Sequence, residues 1–223
     1  LAQLDEMGAT IALTADHGFA LRLDGRTVLE HEPDRPLISA GRGEGRYDMH
    51  HGNFEVTENL VELLALEDFE LTLHPDGGAS ARFSRRGLYP VRAEFAELAG
   101  RLVVAFNVEP EPGDPAGKAR QPNRYRVRLP AEPAEHVYGA GEQFSPLDLR
   151  GRVFPLWTSE QGVGRNKLTE VTRLADLHDK AGGDYWWTFY PQPTFCSSRR
   201  VYYHFDTSAW ASFDFRARDR HEF

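Results

Sequence analysis

The sequence predicts an all-β fold of the β-sandwich type. Short segments such as residues 19–23 and 125–129 alternate apolar and polar side chains with period two, as half-buried strands do. Turn residues separate these segments at near-regular spacing, which is typical of β-sandwiches. Helical periodicity is scarce: residues 60–68 have a helix-like spacing, but their neighbours favour a strand.

Three hairpins follow in chain order. In the first, residues 11–14 and 19–23 alternate, and Asp24-Gly25 leads back into residues 27–29, a strong signal for a two-residue turn. The other two hairpins have the same form, with turns at residues 75–78 and near Gly100; their paired segments are residues 69–73 with 79–83 and residues 91–95 with 102–106.

The length of 223 residues allows one large β domain or two small ones, and one domain is expected over residues 1–223. Residues 109–117 are rich in Pro and Gly and predict a surface loop. Residues 138–195 lack clean alternation and combine glycine, aromatic and polar side chains. Such a segment within a compact domain is typical of functional loops.

The composition and the start of the sequence argue against nucleic-acid binding, a membrane-spanning helix and secretory processing. The formal net charge is −8, which disfavours binding to nucleic acid because phosphates would be repelled. The mean hydropathy of −0.54 and the lack of a long apolar run disfavour a membrane-spanning helix. The chain begins at Leu1 without a charged and apolar leader, so no secretory processing is expected.

Cys196 is the single cysteine, so it can form no internal disulfide. A reducing compartment is therefore favoured, and a cytoplasmic location is expected. His50 and His51 are adjacent and would point to opposite faces of a strand, so they are poorly placed to share a metal. No metal and no cofactor are expected.

The loops between residues 138 and 195 have the chemistry that sugar binding requires. Aromatic faces stack on pyranose C–H groups, while carboxylates, amides and guanidinium groups hydrogen-bond to hydroxyls. The aromatic candidates could equally be core residues: Trp157, Trp186, Trp187 and Phe189. The carboxylate candidates could equally be solvated or capping groups: Glu142, Asp148, Glu160 and Asp184.

Glycoside hydrolysis needs two carboxyl groups at a fixed separation, and spacing along the sequence does not define such a pair here. Ser159, Ser197 and Ser198 do not lie in a nucleophile-elbow motif, so serine catalysis is not indicated either. No catalytic residue is assigned.

The same loop segments resemble the N-terminal domain of family 31 glycoside hydrolases, and most closely its sulfoquinovosidase branch. The segments that carry the resemblance are residues 137–145, 148–152, 154–167 and 182–195, together with Asp48-Met49 and residues 52–54. The run from Tyr138 to Phe195 is long enough to be specific.

The resemblance implies a galactose-mutarotase-like β-sandwich that is followed, in the family, by a catalytic (β/α)8 barrel. Loops of the sandwich help to wall the pocket, while the nucleophile and the acid are aspartates of the barrel. The chain ends at Phe223 before any barrel strand, so the catalytic pair is expected to be absent from it. The sulfonate-reading residues are also expected mostly in the barrel.

The family pattern makes Glu142 the first candidate for a substrate contact, because the Gly-Glu-Gln-Phe loop approaches the pocket mouth. Pocket-lining or loop-positioning roles are implied for Gln143, Phe144, Arg165 and Asn166. Lys167 and Asp184 are left with two alternatives, since they could equally form an ion pair that holds the loops in shape.

The implied parent protein is a retaining α-glycosidase that acts on sulfoquinovosides or related α-glucosides, with this chain as its non-catalytic scaffold and pocket rim. A stand-alone sugar-binding module is one alternative. A mutarotase is another, although it would need a His and Glu acid–base pair that the sequence does not suggest. The surface that would face the barrel is expected to be apolar. Because such a surface is exposed without the barrel, the chain is also expected to self-associate through it.

Overall fold

The computed structural model describes residues 2–3, 8–50, 53–75, 77–110, 121–142, 144 and 146–223. Seventeen strands and one helix lie in this part of the chain. In chain order they are β1 (Ala2–Gln3), β2 (Ala9–Leu13), β3 (Phe19–Leu23), β4 (Arg26–His31), β5 (Ile38–His50), β6 (Asn53–Ala65), β7 (Asp68–Leu73), β8 (Ala79–Ser84), β9 (Val91–Glu97), β10 (Leu102–Val108), β11 (Arg124–Pro130), β12 (Val137–Gly141), β13 (Val153–Leu156), α1 (Glu170–Asp179), β14 (Pro191–Ser197), β15 (Val201–His204), β16 (Ala211–Asp214) and β17 (Arg220–Glu222).

The all-β prediction is confirmed, and so are the three predicted hairpins. β3 and β4 pair antiparallel with Leu23 opposite Arg26, which leaves Asp24-Gly25 as the two-residue turn. β7 pairs with β8, and β9 pairs with β10, in antiparallel register. Residues 60–65 belong to β6, as their strand-like neighbours indicated. Most of the predicted loop at residues 109–117 lies outside the described residues.

The described chain forms two compact units: residues 1–44 with 60–130, and residues 45–59 with 131–223. The long strands β5 and β6 each run from one unit into the other. Residues 1–223 are predicted to form one domain, that is, one independently folding unit. The division into two compact units does not measure independent folding, so the single domain stays a prediction.

In the first unit, two four-stranded sheets enclose an aromatic core. One sheet has the order β1-β2-β3-β4 and the other β10-β9-β8-β7. Phe19 of the first sheet lies 6.1 Å from Phe83 and 6.0 Å from Phe95 of the second, measured between ring centroids. All three rings are fully buried, so the facing sheets form a sandwich through the alternation that the sequence displays.

The second unit contains the antiparallel sheet β12-β14-β15 and the antiparallel strands β13, β16 and β17. Phe195 of β14 is at the centre of its core, with its ring centroid 5.2 Å from Phe213 and 5.1 Å from Phe215. Tyr203 lies against Phe195 at 4.9 Å, and burial raises the pKa of its phenol well above the usual value. This core supports the strands that carry the predicted loop residues.

Helix α1 is a feature that the sequence analysis missed. Thr169 precedes its first turn, and Lys180 ends it in the left-handed conformation with φ 50°. Its leucines are exposed and its buried residue is Thr172, so the usual apolar stripe facing the core is lacking. No helix in the described residues has the length and apolar character needed to cross a bilayer.

Candidate functional site

Glu142 lies directly after strand β12, at the rim of an open cavity of about 430 Å³. The described lining residues come from the end of β12 and from the segment that enters β14: Gly139, Gly141, Glu142, Tyr190, Gln192 and Thr194. The side chain of Glu142 is exposed, and its amide donates to the carbonyl of Tyr190 at 3.1 Å. A fixed backbone therefore presents a solvent-accessible carboxylate.

A glycine is required where β12 turns toward this cavity. Gly141 has φ +99°, and a Cβ built on it would lie 1.9 Å from the carbonyl oxygen of Tyr190. The pairing of β12 with β14 shifts register between Gly139 and Gly141, which is a local bulge. The bulge and the close backbone approach together set the direction in which Glu142 leaves the strand.

Two hydrogen-bonded carboxylates, those of Asp148 and Glu135, lie near the start of strand β12. Asp148 accepts hydrogen bonds from Nδ1 of His136 at 2.6 Å and from the amide of Val137 at 3.1 Å. Burial raises the pKa of Asp148, but the bonds from His136, Arg150 and Val137 outweigh burial and hold the pKa below its usual value. Asp148 therefore braces the strand and does not line the described cavity.

The second carboxylate, Glu135, forms a fully buried pair with His221. Oε1 of Glu135 lies 3.1 Å from Nε2 of His221, and each side chain is 1% exposed. Burial alone would raise the pKa of Glu135, but hydrogen bonds from His221 and Ser197 hold it below the usual value. The pair has the residue types of a mutarotase acid and base, yet a substrate cannot reach groups buried to this extent.

Phe144 and Arg165 are brought together by the fold. The guanidinium carbon of Arg165 lies 5.2 Å from the ring centroid of Phe144, within the range of a cation–π contact. Arg165 also donates to the carbonyl of Gln161 at 3.0 Å and to its Oε1 at 2.9 Å. Phe144 remains 45% exposed, so the contact forms an accessible aromatic and cationic surface.

Asn166 lies in the turn that precedes helix α1. Its Oδ1 accepts from the amide of Leu168 at 2.9 Å, and its carbonyl accepts from the amide and the hydroxyl of Thr169. These bonds order the turn that leads into α1, so the positioning role is the one its contacts support. Gln143, the remaining predicted residue, lies outside the described residues.

The alternative of an ion pair between Lys167 and Asp184 is not the one observed. Nζ of Lys167 donates to both carboxylate oxygens of Asp176, at 3.0 and 2.9 Å, and to the carbonyl of Gly182 at 2.6 Å. Asp184 instead accepts from the amide of Tyr185 at 2.8 Å. That alternative is wrong because helix α1, which the sequence analysis did not predict, carries Asp176 to Lys167.

Two of the glycine-containing loop segments lie side by side. Parallel bridges join Thr158 to Thr188 and Val163 to Gly182. A Cβ on Gly183 would lie 2.2 Å from the carbonyl oxygen of Gln161, so only glycine permits this approach. The predicted loop region is therefore ordered by backbone contacts as well as by side chains.

The aromatic candidates are partly accessible. Trp157, Trp186 and Trp187 are half-buried, and Phe189 is 42% exposed. Trp186 and Trp187 meet edge to face at 5.8 Å, and Lys167 Nζ lies 4.6 Å from the ring centroid of Trp187. The three tryptophans are therefore not fully buried core residues, and Phe189 is exposed.

Sequence reasoning missed three of the lining residues of the cavity. Tyr190, Gln192 and Thr194 reach it because β14 pairs with β12, opposite Gly139 and Gly141. Their period-two spacing within residues 190–194 was an available signal, since alternate strand residues share a face. The site thus combines one carboxylate, an amide, two hydroxyl groups and an aromatic ring, which suits a polyhydroxylated ligand.

Known proteins resemble this chain over nearly its whole length. The chain is 44% identical over 205 residues to a sulfoquinovosidase of Escherichia coli K12, and 43% identical over 210 residues to one of Agrobacterium fabrum C58. These matches cover 92% and 94% of the chain. The chain spans 29% of the length of each of these curated relatives.

A solved structure supports the same relationship. A family 31 sulfoquinovosidase from E. rectale, in complex with an aza-sugar inhibitor, matches with a TM-score of 0.79 and 37% identity. The match covers 96% of this chain and 30% of that one. Residues 19–168 also match the family described as the glycosyl hydrolase 31 N-terminal galactose mutarotase-like domain. The chain belongs to this family of glycosyl hydrolase 31 N-terminal domains, and its fold is galactose-mutarotase-like.

Proposed function

We propose that this chain is the non-catalytic, sugar-facing N-terminal part of a retaining α-glycosidase that acts on sulfoquinovosides or related α-glucosides. The observation that carries the proposal is the exposed carboxylate of Glu142 at the rim of the β12–β14 cavity. Its support from outside the chain is the similarity to sulfoquinovosidases of two bacteria and to a third in complex with an aza-sugar.

In this proposal Glu142 contacts a hydroxyl group of the glycoside. An ionised carboxylate accepts hydrogen bonds from hydroxyl donors, and such charge-assisted bonds are roughly twice as strong as neutral ones. Gln192 and Thr194 lie beside it and offer further donors and acceptors. The site would thus recognise the sugar rather than break its glycosidic bond.

Phe144 and Arg165 form the second element of the proposed rim. Arg165 is anchored by Gln161 and lies over the ring of Phe144, so both side chains are held before a ligand arrives. Pre-ordering of this kind lowers the entropy cost of binding. Asn166 would act indirectly, through the turn that carries Arg165 toward α1.

The catalytic chemistry is assigned to polypeptide beyond this chain. Retaining hydrolysis uses one carboxyl group as the acid and a second as the nucleophile, about 5 Å apart. We place both on a (β/α)8 barrel encoded in the same gene, at the strand ends where such barrels carry their active sites. We also place the protein in the cytoplasm, which the single cysteine favours.

The test compares the 223-residue chain with the full product of its gene. The full product is expected to hydrolyse 4-nitrophenyl α-sulfoquinovoside with retention of configuration, whereas the chain alone is expected to release no nitrophenol. Hydrolysis by the chain alone that survives repurification would overturn the non-catalytic role. A full product without glycosidase activity would favour a stand-alone sugar-binding module.

A further inference from the structure

A second cavity lies on the other side of strand β14. Its volume is about 300 Å³, at the lower end of the range for small-molecule sites. The residues that matter here come from three segments: Trp157 and Thr158, Pro191 and Pro193, and Thr207 and Ser208.

The alternation of β14 separates the two cavities. Gln192 and Thr194 line the cavity of Glu142, whereas Pro191 and Pro193 line the second one. Successive residues of a strand point to opposite faces of the sheet. The two cavities therefore lie on opposite faces of residues 191–194. A ligand in the second cavity would therefore not touch Glu142.

The lining chemistry of the second cavity selects a neutral, polyhydroxylated ligand. Trp157 and the two prolines supply apolar faces of the kind that stack on sugar C–H groups. Thr158, Thr207 and Ser208 supply hydroxyl groups that both donate and accept. None of the described lining residues is charged, so an anionic group would gain no counter-charge on entering.

The lining groups are held in place before a ligand binds. Trp157 lies 6.4 Å from Tyr47, measured between ring centroids. Thr158 is fixed by its parallel bridge to Thr188, and the next amide, of Ser159, donates to the carbonyl of Thr188 at 3.0 Å. This order reduces the conformational cost of binding.

The loop that contributes Thr207 and Ser208 to the cavity is also held by hydrogen bonds. The hydroxyl of Thr207 accepts from the amide of Ala209 at 3.1 Å, and the amide of Thr207 donates to the carbonyl of Phe205 at 2.9 Å. A hydroxyl that accepts one bond keeps its own proton to donate. Thr207 can therefore donate to a ligand oxygen without giving up the bond that orders its loop.

We propose that this second cavity, between Trp157 and the 207–208 loop, binds a neutral pyranose as a site separate from that of Glu142. The proposal does not depend on the function assigned above, because the second cavity is lined by different side chains. Its size and its lining suit one sugar ring.

The test is a titration of the 223-residue chain with methyl α-D-glucopyranoside, followed by the amide and indole signals in ¹H–¹⁵N spectra. We expect saturable, millimolar binding that shifts the signals of Trp157 and Ser208. Trp157→Leu is expected to weaken binding about tenfold or more, because the stacking face is lost. Ser208→Leu, at an exposed loop position, fills the cavity and is expected to abolish binding without affecting the fold.

Glu142→Gln is the matched control for the first cavity, where an α-glucoside could also bind. It is expected to leave the titration midpoint of the Trp157 and Ser208 signals unchanged, because neither residue lines that cavity. Absence of saturable binding would overturn the proposal. So would binding that Glu142→Gln removes while Trp157→Leu and Ser208→Leu preserve it, since the ligand would then occupy the first cavity. Either result leaves the hydrolysis test of the proposed function unaffected, because that test measures a different ligand and a different readout.

Discussion

Lys167 and Asp176 form a bidentate ion pair, with Nζ 3.0 and 2.9 Å from the two carboxylate oxygens. Both partners also bind Gly182: the ammonium donates to its carbonyl at 2.6 Å, and the carboxylate accepts from its amide at 2.9 Å. Three segments, those around residues 167, 176 and 182, therefore meet at one point. The arrangement fixes the loops on both sides of helix α1.

Loss of the Lys167 ammonium should loosen these loops more than it destabilises the whole chain. Each charge is about one-third exposed, so solvent screens the Coulomb attraction, and we expect Lys167→Met to lower the free energy of unfolding by only about 1 kcal/mol. Hydrogen exchange of the Val163 and Gly183 amides should accelerate clearly, because their backbone bonds join the two loops. Arg173→Met, on the exposed side of α1, is the control; equal exchange rates in both variants would contradict this role.

A methyl group at Gly141 should disrupt the cavity of Glu142. Gly141→Ala combines a positive φ with a Cβ 1.9 Å from the Tyr190 oxygen, so β14 must shift. Gly151→Ala is a matched control, since Gly151 has φ +79° but open space where the Cβ would lie. We expect the control to cost about 1 kcal/mol of stability through φ strain, and Gly141→Ala to cost at least twice as much. Urea denaturation measures both, and equal costs would show that the close approach is absent.

Acidification should destabilise the first unit through His31. This side chain is 0% exposed; its Nε2 lies 3.1 Å from the carbonyl of Glu67, and its Nδ1 accepts from the amide of Leu37 at 3.3 Å. Burial holds the pKa of His31 below its usual 6.5, despite the opposing bond to Glu67. His31 therefore has a higher pKa in the unfolded chain than in the folded chain. As pH decreases below about 6.5, the unfolded chain binds more protons at His31, and the free energy of unfolding falls.

Thermal melts between pH 7.5 and 5.5 measure this effect. His31→Gln should lower the melting temperature at pH 7.5 but flatten its decline toward pH 5.5. His178→Gln, at an exposed position on α1, should leave the decline as it is in the parent chain. An unchanged slope in His31→Gln would mean that His31 does not contribute to the acid sensitivity.

The buried Glu135–His221 pair should be necessary for the stability of the second unit. Glu135→Leu leaves the Nε2 of His221 and the amide of Glu132 without their acceptor, and a buried donor left unsatisfied costs about 1–3 kcal/mol. Glu135→Gln keeps an acceptor oxygen and should cost about half as much or less. Because the pKa of Glu135 is lowered, its contribution is complete above about pH 4.5 and is lost as pH falls through the folded-state pKa. Equal stability of Glu135→Leu and the parent chain at pH 7 would contradict this role.

Local patterns were sufficient to predict the hairpins. The alternation in residues 19–23 and the Asp24-Gly25 turn are short-range features, and they fix the strands and their pairing without information from distant residues. The same alternation places Phe19, Phe83 and Phe95 on buried faces of their strands, whereas their contact across the two sheets is long-range.

The helix and the contacts it makes were less accessible to sequence reasoning. The spacing of Leu168, Val171, Leu174 and Leu177 was a helical signal, but these side chains are exposed, and the segment is only ten residues long. Asp176 was therefore not recognised as the partner of Lys167. Tyr190 and Gln192 reach the cavity of Glu142 only through the pairing of β14 with β12, a long-range contact that spacing along the chain does not define.

The most direct measurement is the kcat/KM of the full gene product on 4-nitrophenyl α-sulfoquinovoside, compared between the parent, Glu142→Gln and Glu70→Gln. Glu142→Gln should lower kcat/KM about tenfold or more, because a charge-assisted bond to the sugar is lost. Glu70→Gln, an exposed carboxylate on β7, should leave it within about twofold of the parent. An unchanged kcat/KM in Glu142→Gln would contradict a role for this cavity in contacting the glycoside.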